Sequence, residues 1–87
     1  MKTITEEKIK KYISITEKAL EGIKIIDDKG KDVLDMATRY FNDAKYYKEK
    51  GDFVTAFAAI NYAHGWLDAG ARLGLFKVKH KELFTID

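Results

Sequence analysis

The chain has 87 residues, with 16 Lys and Arg against 14 Asp and Glu, a formal charge of +2, 46 % hydrophobic and 34 % charged residues. That composition describes one soluble domain with a modest core, too weakly basic to call for nucleic acid as a partner. The absence of cysteine removes disulfides, thiolate metal sites and cysteine nucleophiles together, and it fits a cytoplasmic setting. No apolar run approaches the roughly 20 residues needed to span a bilayer, and Met1–Glu7 carries no signal-peptide core. No membrane association is therefore expected. Lysine-rich, amide-poor usage, with Asn42 and Asn61 but no Gln, leans towards a heat-adapted source.

Zero prolines and helical spacing throughout predict an all-α fold, a three-helix up-and-down bundle with a short C-terminal tail. The helices are expected over about 5–25, 32–50 and 52–74 of one domain covering 1–87. In the first, Ile9, Tyr12, Ile13, Thr16, Leu20 and Ile23 share a face. Thr3 with Glu6 has capping-box spacing, and Thr5 before two glutamates also suits a helix start. Asp27–Asp32 is the clear polar break. Its acids resemble a calcium loop, but interleaved lysines and a missing terminal glutamate make it a solvated turn.

The second helix carries Val33, Met36, Ala37, Tyr40, Ala44 and Tyr47 as an apolar stripe. Gly51-Asp52 then ends one helix and caps the next. So short a connection makes the second and third helices antiparallel. Beyond Gly74 the pattern decays through a basic cluster, Lys77, Lys79, His80 and Lys81, read as a solvated tail. Leu83, Phe84 and Ile86 either dock on the bundle or fray.

The third helix is the most informative segment. Phe53, Phe57, Ile60, His64, Leu67 and Ala71 fall on one side and form the expected core stripe. Ala59, Ala63, Trp66 and Gly70 make a neighbouring, mostly small face that lets another helix come close. Tyr62, Ala69 and Leu73 lie on the far side with Ala58. A helix this apolar around its circumference calls for more cover than a three-helix bundle provides. A homodimer through Tyr62, Trp66, Ala69, Gly70 and Leu73 is the expected cover; a docked C-terminal tail is the alternative, and the self-associating module is also open to docking on another protein.

Asn61, His64, Asp68 and Arg72 form the candidate polar site. His64 and Asp68 are four residues apart, spacing that suits a proton-transfer pair or two metal ligands. The competing structural expectation is an interior imidazole bonded to Asp68, Tyr40 or Tyr47. Zinc would need further ligands, and nothing ties His80 to His64, so no metal or other cofactor is expected. No phosphate loop, serine elbow or catalytic acid pair occurs, so no catalytic residue is assigned. A groove around His64, Trp66 and Arg72 that binds a ligand or nucleotide is the alternative function. Arg72 with Asp68, and Arg39 with Asp43, have the spacing of surface ion pairs.

The run YYKEKGDFVTAFAAINYAHGWLDAGARLGLF, Tyr46 to Phe76, resembles the DUF357 family, short and mainly archaeal proteins of uncharacterised function. Its paired tyrosines, Gly-Asp turn, alanine-rich helix and Tyr-Ala-His-Gly-Trp-Leu-Asp stretch carry the likeness. The resemblance implies a compact three-helix bundle and an archaeal cytoplasmic setting, with no catalytic residues to transfer. Similar domains occur beside nucleotidyltransferase-like regions, which implies an accessory or oligomerising role. A fainter likeness is to HEPN domains. Their Arg-x-x-x-x-His ribonuclease motif is absent, since Arg39 is followed five residues on by Ala44 and Arg72 by Lys77.

Overall fold

The computed structural model describes residues 3–84. Three helices, α1 (Glu6–Leu20), α2 (Lys29–Glu49) and α3 (Phe53–Arg72), run up and down as a bundle, in agreement with the all-α reading. A two-residue strand, β1 (Lys24–Ile25), precedes α2. A second, β2 (Phe76–Lys77), follows α3 and leads to a 3-10 turn, Lys81–Leu83. Ile86 lies outside the described residues.

Local signals fix most helix ends. The Thr5 hydroxyl accepts from the Lys8 amide at 3.1 Å, so Thr5 rather than Thr3 is the cap. Gly51 takes φ 79°, which terminates α2, and the Asp52 carboxylate accepts from the Thr55 amide at 3.1 Å to begin α3. Thr55, first through its side-chain hydroxyl and then through its amide, holds the Asp52 carboxyl below its ordinary range.

The α1–α2 connection departs from the sequence reading. α1 ends at Leu20, several residues before the expected limit near 25. Gly22, at φ 71°, turns the chain, and the next residues leave the helix to pair with the tail: β1 and β2 are antiparallel, with Lys24 opposite Lys77 and Ile25 opposite Phe76. β-branched Ile23, Ile25 and Ile26 suit that extended state. α2 in turn begins inside the polar run, where Asp27 accepts from the Lys29 amide at 2.9 Å. Gly30 is buried rather than solvated, because the Leu75 carbonyl oxygen lies 2.7 Å from where its Cβ would be.

The core has two parts. Towards the α2–α3 turn, Ile9, Ile13, Phe41 and Ile60 interlock with Ala44, Ala56, Ala59 and Ala63. At the other end, Ala19, Ala37 and Leu67 are sealed by Phe76 and Phe84 from the tail. The tail docks, with Phe76 and Phe84 both buried.

α3 is rotated from the predicted stripe. Its buried residues are Ala56, Ala59, Ile60, Ala63, Leu67 and Gly70. Phe53, Phe57, His64 and Ala71 are only partly covered. The reason is close approach: α3 packs mainly on α2, and the small face sets that contact, as expected of Ala59, Ala63 and Gly70. Phe57 is displaced to the α1 side, where its ring meets Tyr12 edge-on at 5.5 Å.

Candidate functional site

The polar candidates lie along α3 but do not form one group. Asn61, His64 and Asp68 face α1 across a cleft of about 260 Å³, which is also lined by Tyr12, Ile15, Thr16, Ile60 and Gly65. The α1 contributors carry no local motif and escape sequence reading; only the helix pairing brings them there. Arg72 is outside this lining and exposed. Trp66 lines a separate groove with Tyr62 and Ala69. The expected single groove around His64, Trp66 and Arg72 is therefore not formed.

His64 is held by the tail. Its Nε2 lies 2.8 Å from the Leu83 carbonyl oxygen, and its ring stacks on Phe84 at 6.0 Å and 28°. A carbonyl can only accept, so Nε2 carries the hydrogen, and Nδ1 of the neutral ring is an acceptor. Asp68 Oδ2 is 3.9 Å from the same nitrogen, beyond hydrogen-bond reach. Tyr40 belongs elsewhere, edge-on to Tyr62 at 4.5 Å, and Tyr47 lines the same outer groove as those two rings. The interior-imidazole expectation is thus corrected in its partner: the hydrogen bond goes to a backbone carbonyl nineteen residues away, a contact with no helical register to reveal it. Among the described residues, no three His, Asp or Glu side chains gather as metal ligands.

The basic tail also divides. Lys77, Lys79 and Lys81 are exposed. His80 turns inward, with Nε2 buried, no hydrogen-bond partner, and Glu21 Oε2 at 3.6 Å. Arg39 pairs with Asp35, Nε to Oδ2 at 2.9 Å, instead of with Asp43. The bidirectional four-residue spacing allowed either choice.

The outer side of α3 is differently built. Tyr62 is 53 % exposed and Leu73 72 % exposed; Ala58 and Ala69 are exposed too, and Trp66 is half-buried. Gly70 does not belong to this surface: it is buried under the Phe76 ring, with Val33 Cγ1 at 3.0 Å from a Cβ placed there. Tyr62 stands between two shallow grooves. One, of about 350 Å³, is lined by Tyr40, Asp43, Tyr47, Thr55, Ala58 and Ala59 as well as Tyr62. The other, of about 290 Å³, is lined by Asn61, Tyr62, Gly65, Trp66 and Ala69. The Tyr62 ring is braced on both flanks, edge-on to Tyr40 and, at 6.2 Å, to Trp66. The Trp66 indole nitrogen is buried without a hydrogen-bond partner. Chemically this face offers rigid aromatic edges beside small-residue hollows and few charges.

No helix among the described residues is long and apolar enough to cross a membrane. The family model described as a protein of unknown function, DUF357, matches residues 11–76. No curated protein matches the chain.

Proposed function

We propose that this chain, which belongs to the DUF357 family, is a small non-catalytic helical module that pairs with a second copy of itself through the outer face of α3. The observation that carries this reading is Tyr62: half its surface is open to water, yet its ring is fixed by Tyr40 and Trp66 between two hollows. Pre-ordered aromatic side chains lose little entropy on binding and are the residues that most often dominate interfaces. The tail packs against the inner side of the C-terminal half of α3 and leaves Tyr62, Ala69 and Leu73 exposed. A cysteine-free, lysine-rich composition supports a cytoplasmic setting, and the family resemblance supports an archaeal one.

Light scattering on the purified chain tests the proposal. The unmodified chain should form dimers at micromolar concentration, and Tyr62→Glu should be monomeric with unchanged helical circular dichroism. A Tyr62→Glu variant as dimeric as the parent would remove the face from consideration.

A second reading rests on the α1–α3 cleft, whose Asn61 amide, His64 ring and Asp68 carboxylate are suited to holding a small polar ligand. Thermal-shift screening with nucleotides and divalent metals addresses it, because a ligand that binds only the folded state must raise the melting temperature. The cleft reading requires a shift in the parent that Asn61→Ala abolishes; uniform silence across the screen would set it aside.

A further inference from the structure

Five of the six glycines are accounted for by the fold of a single chain. Gly22, Gly51 and Gly74 have positive φ. Gly30 and Gly70 lie where a Cβ would collide with the Leu75 carbonyl and the Phe76 ring. Gly65 has neither excuse. It lies inside α3 with helical backbone, and nothing is within 4 Å of where its Cβ would be. A helix-interior glycine is unfavourable relative to alanine, so its use at an open position marks a close approach from outside the chain.

We infer that Gly65 is the crossing point of two α3 helices from two copies of this chain, packed antiparallel across a two-fold axis. The inference rests on the self-association proposed above and specifies its geometry. Gly65 lines the groove that also contains Asn61 and Ala69, each four residues away on the same side. Small residues at that spacing allow helix backbones to approach closely.

Charge selects the occupant and its direction. Asp43 lies on the rim of the groove that contains Ala58, and it makes no ion pair among the described residues, since Arg39 takes Asp35. Arg72 is exposed near the opposite end of the helix. Ala58 and Arg72 are each seven residues from Gly65, roughly 10 Å of helix. A perpendicular two-fold at Gly65 therefore places Arg72 of each copy over Ala58 of the other, beside Asp43. The acid–base contact is made twice. Parallel pairing would instead bring Asp43 near Asp43 and Arg72 near Arg72. In the antiparallel arrangement Tyr62 of each copy, leaning towards its own N-terminus, comes over Ala69 of the other.

Sedimentation velocity over a dilution series tests this with three variants. Gly65→Leu introduces a good helix former into open space, so the monomer keeps its fold. Its dimerisation should weaken by roughly a hundredfold, since the crossing point can no longer close. Asp43→Arg should weaken the dimer about tenfold by setting like charges together, and adding Arg72→Asp should restore it. If the parent chain dimerises and Gly65→Leu dimerises equally well, the crossing at Gly65 is overturned while self-association stands. If Gly65→Leu is monomeric and the charge exchange gives no recovery, the antiparallel register is overturned. A parent chain that is monomeric throughout overturns both.

Discussion

Gly65 and Gly70 belong to one helix and differ only in what surrounds them, so replacing each by alanine should move stability in opposite directions. Alanine at either position favours the helix by about 0.8–1 kcal/mol. At Gly65 the new methyl meets nothing within 4 Å, and the whole gain is retained. For a domain of this size, 1 kcal/mol moves the melting temperature by roughly 4–8 °C, so Gly65→Ala should melt several degrees higher. At Gly70 the methyl would overlap the Phe76 ring, with Val33 Cγ1 at 3.0 Å. Phe76 is 2 % exposed and packed with Ala19, Ala37, Leu67 and Phe84, so moving its ring disturbs that cluster. Overpacking of this kind costs about 1–3 kcal/mol, which outweighs the propensity gain, and Gly70→Ala should melt at a lower temperature than the parent. Circular dichroism melts at high dilution, where the chains are monomers, isolate these intrachain effects from association. A Gly70→Ala protein as stable as the parent, or a Gly65→Ala monomer that is less stable, would refute this account of how α3 packs.

Three further outcomes follow from the same packing. Phe76→Ala should destabilise the fold by about 3–4 kcal/mol, a large share of a small domain's stability, and a urea titration would show the loss as a lower midpoint. His64→Ala should release the Leu83 carbonyl and the Phe84 stack, so hydrogen exchange should accelerate over residues 76–84 while the α2–α3 turn stays protected. Because the Thr55 hydroxyl and, after it, the Thr55 amide hold the Asp52 carboxyl below its ordinary value of 3.8, its capping contribution is present above that pH and is lost as pH falls through the depressed value. Asp52→Asn keeps a capping oxygen without a titrating group, so exchange at the start of α3 should lose its acid dependence in that variant.

What could be read from sequence was what is decided within a few residues. The Gly51-Asp52 turn and the small face of α3 were legible because a helix end and a packing surface are encoded locally. The end of α1 was not. Ile23 continues the apolar spacing of α1, but extended pairing to Phe76 and Lys77 takes that segment out of the helix, and no local signal announces a partner so far along the chain. The same distance hid the bond from His64 to Leu83 and the acceptance of Gly30 beneath Leu75. Periodicity alone places Gly70 on the interaction surface because it gives a face without its neighbour; Phe76 of the tail is that neighbour. Tyr62, Trp66 and Leu73 could be singled out from pattern alone because a fourth apolar direction on one helix exceeds what two neighbouring helices can cover.

The central claim is that the outer face of α3 exists to be covered by a second copy. Sedimentation equilibrium of the unmodified chain tests it most directly. The account predicts a reversible species of twice the 10.0 kDa chain mass that dissociates on dilution and is abolished by Tyr62→Glu. A single 10.0 kDa species at every concentration, with Tyr62→Glu indistinguishable from the parent, would contradict it.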